Sequence, residues 1–132
     1  MTGEAMTQMQ DGTVVLTGGA EVLHVPSGQP VTLQDVIRSE DGPLGVALRF
    51  RFVAPQIARE GGNVDFETAS ADMMELCQSF ALPKLSELGD APRQIIISLA
   101  AAEVPFGEAA PEVTQFFESF RVENGTCIWE MF

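Results

Sequence analysis

The chain has no tyrosine, one tryptophan, one histidine, two cysteines and seven basic residues in a length of 132. Each shortage excludes something. A single histidine, His24, with both cysteines far away in sequence, does not supply a recognised zinc ligand set, so no metal is expected and His24 is read as a surface residue beside a turn. A Ser-His-Asp or Cys-His triad would have to use His24, and nothing around it supports one. No Gly-x-Gly-x-x-Gly, Walker loop or Gly-x-Ser-x-Gly elbow occurs, and no cofactor is expected. The seven bases face 19 acids, giving a net charge of −12. Nucleic-acid binding and attachment to anionic membrane surfaces both need clustered cations, so both are disfavoured. No apolar run approaches the ~20 residues of a membrane span, and no membrane insertion is expected. Met1 to Gln10 is polar and lacks the basic and apolar segments of an export signal. A chain trimmed of its signal looks the same as a cytoplasmic one.

What is present is enough for a core. The residues are 45% hydrophobic and include nine Phe, while 20% are charged, so the composition is that of a soluble folded domain. Residues 1–20 read as a loosely ordered arm in which only Thr13 to Thr17 has strand character, and 21–132 as a single α+β domain. Glu21 to Val25 is a short extended piece closed by Pro26-Ser27-Gly28. Thr32-Leu33-Gln34-Asp35 has capping-box spacing, which predicts a short helix over 32–38, stopped by Asp41-Gly42-Pro43. Leu44 to Val53 alternates, with Val46, Leu48, Phe50 and Phe52 on one face. Asp65 caps the main helix, expected from about 66 to 81, with Phe66, Ala69, Met73, Leu76, Cys77 and Phe80 in one stripe. Pro83 should interrupt it. Arg93 to Ala100 and Gln115 to Val122 read as strands, and Asn124-Gly125 predicts a hairpin with Cys127 to Phe132. The order implies a mostly antiparallel sheet of about five strands, one long helix across one face and a C-terminal β-hairpin.

The helix stripe and one sheet face supply the expected core: Val46, Leu48, Phe50, Phe52, Ile95, Ile97, Leu99, Phe116, Phe120, Cys127 and Trp129. Trp129 is expected among the most buried. The other sheet face is mixed, with Ile96, Phe117, Ile128 and Phe132 beside Arg49, Arg51, Ser98, Arg121 and Glu130. It is covered by the arm or a long loop, or it is used in contact. Arg49, Arg51, Arg121, Phe117 and Ile128 are therefore candidates for an anion or partner face. The competing role for the arginines is pairing with acids such as Glu118 or Glu130. Asp72 and Glu75 share a helix face read as solvent-exposed, where carboxylates make poor proton shuttles. No catalytic residue is assigned.

Cys77 on the stripe and Cys127 on the core side of the last strand should point into one layer. They are either a buried free thiol pair or a disulfide, and the disulfide is favoured because no other chemistry claims them. Their Cα atoms should lie within ~7 Å.

The runs Val25-Pro26-Ser27-Gly28-Gln29-Pro30-Val31-Thr32-Leu33, Arg49-Phe50-Arg51-Phe52-Val53-Ala54-Pro55, Val64-Asp65-Phe66-Glu67-Thr68 through Asp72-Met73 to Leu76-Cys77, and Gly125-Thr126-Cys127-Ile128-Trp129-Glu130 resemble a family of small uncharacterised alphaproteobacterial proteins. The resemblance covers about residues 22–132. Some members carry an automatic label of acetolactate synthase, which the size of this chain does not support: a thiamine-diphosphate enzyme builds its site from several hundred residues. Many members begin with an export signal, so the resemblance implies export and supports the cysteine pairing. The expectation is a non-catalytic binding or interaction protein of the cell envelope, periplasmic or secreted with its signal removed and meeting a protein partner. A small enzyme using carboxylates with an arginine-lined anion site, or a cytoplasmic home, is the alternative.

Overall fold

In the computed structural model, which describes residues 12–40, 45–89 and 91–130, the alternating segment around Phe50 is the middle of a sheet. Strand β1 is Thr13–Thr17, β2 Thr32–Glu40, β3 Val46–Val53, β4 Gln94–Ala100, β5 Gln115–Glu123 and β6 Thr126–Trp129. They lie side by side in chain order. Every neighbouring pair is antiparallel except β3 and β4, which run parallel with Leu48, Phe50 and Phe52 beside Ile95, Ile97 and Leu99. Parallel neighbours need a crossover rather than a turn. The helical segment is that crossover.

Helix α1 (Phe66–Leu76) starts at Asp65, whose carboxylate accepts the Thr68 N–H at 2.9 Å. That bond holds the Asp65 carboxyl below its ordinary pKa. A depressed pKa means the cap contributes at neutral pH and is lost as the solution is acidified through the folded-state value. The chain continues through a π-type turn (Cys77–Ala81) into α2 (Leu82–Leu88), ended by Gly89 at φ 69°. Pro83 has no N–H to donate and its ring crowds the carbonyl four residues back. The wide turn just before it absorbs that misfit without ending the helix. Ala69, Met73, Leu76 and Cys77 are buried against the sheet. The Phe80 ring meets those of Phe50 and Phe52 edge-on, with centroids 6.3 and 5.8 Å apart.

Four expectations need correction. Residues 32–38 are not a helix but part of β2, because Leu33 and Val36 are drawn into the core beside Phe52 and Phe50. An irregularity between Leu33 and Asp35 shifts the alternation by a residue, which is what made the spacing look helical. Phe66 is 47% exposed: it lies at the first turn, beyond the sheet, and rests edge-on against Phe116. Trp129 is 42% exposed. Its face assignment holds, since it pairs with buried Phe120 and its ring lies 6.0 Å from that ring. It is, however, the last residue of the edge strand β6, with no further strand beside it. Asp72 is fully buried rather than solvent-facing. Most of the expected arm, together with the Asp41-Gly42-Pro43 turn and Phe132, falls outside the described residues.

The hairpin forms as its sequence requires. Asn124 and Gly125 both adopt positive φ, 54° and 73°, and Glu123 pairs with Thr126. A disulfide joins Cys77 to Cys127 with Cα atoms 6.3 Å apart, tying the π-type turn to β6. Gln78 reinforces the join: its amide N–H donates to the Gly125 carbonyl (3.1 Å) and its oxygen accepts the Cys127 N–H (3.0 Å).

Closing a loop of 50 residues removes chain entropy from the unfolded state. A Cys77→Ala/Cys127→Ala double variant should lose about 3–4 kcal/mol in urea denaturation. Protein exported to an oxidising compartment should show no free thiol after denaturation, and two would contradict the linkage.

Candidate anion-binding face

The helix covers one side of the sheet. On the other, β3 presents Arg49 and Arg51, two residues apart on one strand face. The neighbouring strand gives them different surroundings. Asp35 stands opposite Arg51, whereas Ile37 stands opposite Arg49.

Arg51 donates Nε–H and an NH2 proton to the two Asp35 oxygens at 2.7 and 2.8 Å, a bidentate pair. Its third donor reaches the Val104 carbonyl at 2.9 Å, and its guanidinium lies 5.3 Å from the centroid of the Phe106 ring. The Gln34 amide also donates to the Val104 carbonyl, at 2.9 Å. Together these bonds pin the long β4–β5 connection across the β2–β3 part of this face, so that Val104 and Ile37 are buried. A long loop is thus the cover over this half.

Arg49 is half-buried and, among the described residues, has no hydrogen-bond or ion-pair partner. Burial and the neighbouring Arg51 charge both lower its pKa. Beside it a cleft of about 380 Å³ spans β2 to β5 at the Gly45 end of the sheet, with Ser39, Ala47, Gln94 and Ile96 in its lining. Arg93, Arg121 and Glu130 stand at its walls. The Glu123 carboxylate bonds Arg121 and raises its pKa. Glu130 accepts from the Gln94 amide at 2.8 Å. Arg93, at the rim, has no side-chain partner among the described residues. Further along the same face Phe117 is 62% exposed and Ile128 half-buried. The candidates therefore divide. Arg51 is committed to Asp35, while Arg49 and Arg121 share the cleft and Phe117 and Ile128 continue its face. The sequence reading missed Arg93, which precedes β4 and reaches the cleft through its N–H bond to the Val46 carbonyl at 2.9 Å. Only the parallel β3–β4 register places it there.

Also missed was the environment of Asp72. One carboxylate oxygen accepts the Ser27 N–H (2.9 Å); the other accepts the Ser27 hydroxyl (2.6 Å) and the Gln29 amide (2.8 Å). Both oxygens are engaged and the side chain is enclosed, so this acid fastens the Pro26–Gln29 turn to α1. Among the described residues no group of three or more His, Cys, Asp or Glu side chains is placed to hold a metal.

A mostly antiparallel sheet with one face under a helical segment and an arginine-lined cleft on the other defines a small α+β protein. The chain belongs to a family of unknown function (DUF6497), whose model matches residues 4–132. No curated protein and no solved structure matches it.

Two outcomes follow from these side chains. Asp72→Ala leaves buried donors unpaired and should cost about 2–4 kcal/mol, measured by urea denaturation. Arg49→Met removes a half-buried cation that has no acid partner among the described residues, and should raise Tm by a few degrees in differential scanning calorimetry. A lowered Tm would mean that Arg49 is held by favourable contacts.

Proposed function

We propose that this protein is a non-catalytic binding protein of the cell envelope, periplasmic or secreted, which engages an anionic partner through the helix-free face of its sheet. The observation that carries this is Arg49: a guanidinium half-buried among apolar side chains with no acid supplied by the fold among the described residues. Keeping such a charge away from water is costly unless something completes it. The acids near it are already engaged, Asp35 by Arg51 and Glu130 by Gln94. The local excess of guanidinium stands out in a chain of net charge −12 and complements an anion. Phe117 and Ile128 extend the face with apolar surface of the kind that contacts exploit. The Cys77–Cys127 disulfide supports the compartment, because such bonds persist where the surroundings are oxidising.

The test is photo-crosslinking in native cells from a probe placed at Phe117 or Ile128, with Ala71 on the exposed side of the helix as control. The expected result is adducts from the first two positions and none from the third. Equal labelling at all three overturns the face assignment. Recovery of the protein in the cytoplasmic fraction with two free thiols overturns the compartment.

A further inference from the structure

We propose that the cleft beside Arg49 binds a small organic monocarboxylate carrying a short apolar group. The proposal rests on reading the helix-free face as a binding face and names the chemistry that this part of it would take.

The cleft has a size, a charge and a floor. Its volume of about 380 Å³ lies within the range of small-molecule sites, roughly 300–1,000 Å³. The floor includes Ala47 and Ile96, whose apolar side chains suit a short alkyl or aryl group, beside the polar Ser39 and Gln94. Above it the Arg49 guanidinium presents a planar fork of N–H donors that no carboxylate of the described residues occupies. Arg93 supplies a second guanidinium at the rim. Its position depends on Gly45, which has φ 81° and where a Cβ would stand 2.9 Å from Arg93 Cγ. The stem of Arg93 thus crosses a spot that only glycine leaves open.

Glu130 restricts the class of anion. It lines the same cleft, held by the Gln94 amide, and its carboxylate repels a second negative charge on the ligand. Arg121 is already paired with Glu123, so it adds little net attraction. Arg49 and Arg93, neither paired with an acid among the described residues, stand against the one carboxylate of Glu130, which favours a singly charged head over a phosphate dianion.

The test titrates the oxidised protein with hexanoate, hexan-1-ol, hexylammonium and inorganic phosphate, following backbone amide shifts by NMR. Hexanoate should bind saturably, with shifts at Ala47 and Ile96, and at least about tenfold more tightly than the other three probes. Arg49→Gln should weaken hexanoate by about tenfold or more, and Arg121→Gln by less than about threefold. Should Arg49→Gln fail to fold, Arg93→Gln, at an exposed position, should show the same directional loss. Hexan-1-ol binding as tightly as hexanoate, phosphate binding more tightly, or hexanoate affinity unchanged in Arg49→Gln or Arg93→Gln each overturns the proposal. Crosslinks from Phe117 and Ile128 without hexanoate binding would remove the ligand class and leave the binding face standing. Loss of both would remove the two together.

Discussion

The parallel pairing of β3 with β4 governs the architecture. Antiparallel neighbours can close with a tight turn, as β5 and β6 do at Asn124-Gly125, but a parallel pair requires the chain to travel back across the sheet. The chain spends that return on one helical segment from Phe66 to Leu88. One helical segment covers one face. Leu48, Phe50, Phe52, Ile95, Ile97 and Leu99 are sealed beneath it with essentially no exposure. The opposite face of the same strands is left to be covered by other means, and it is there that the sequence places Arg49, Arg51 and Ile96.

The contrast between the two β3 arginines shows how little separates a structural residue from a candidate binding residue. Both sit on the same strand face. Asp35 lies across from one, and the result is a bidentate pair that also anchors Val104 and the long connection behind it. Ile37 lies across from the other, and the guanidinium is left half-buried. Cross-strand neighbours are the unit of interaction in a sheet, so one step of register decides which cation is satisfied. Arg51 therefore belongs to the fold, and Arg49 is available for something outside it.

The helical side has its own fastening points. The disulfide and Gln78 fix the π-type turn to the last hairpin. Asp72 fixes α1 to the turn at Ser27. These contacts link segments 43 to 50 residues apart in sequence, and they hold the turn before β2 and the last hairpin onto the helical segment. A carboxylate used this way sits inside a closed hydrogen-bonded arrangement, which is why it serves as a strut rather than as a proton carrier.

Local chemistry determined a good deal here by sequence alone. The strict alternation of Val46–Val53, the Asp65 cap with the Ala69 to Cys77 part of its stripe, the Asn-Gly turn and the layer shared by Cys77 and Cys127 are all set within a few residues of chain, and each is legible in the sequence. Other features depended on what lies across a gap in sequence. Thr32–Glu40 has both a helical spacing and a strand's burial, and the core beside Phe50 and Phe52 decided for the strand. Asp72 looked solvent-facing by its place beside the apolar stripe, and only the arrival of Ser27 and Gln29 made it an enclosed acceptor. Trp129 had the right face but not the burial, since it ends the edge strand β6, with no further strand beside it. Arg93 entered the cleft through a parallel register that no local pattern encodes. Hydrogen-bond caps, turns and alternation act over short distances, whereas burial, ion pairing and cleft formation are set by neighbours that only the folded chain brings together.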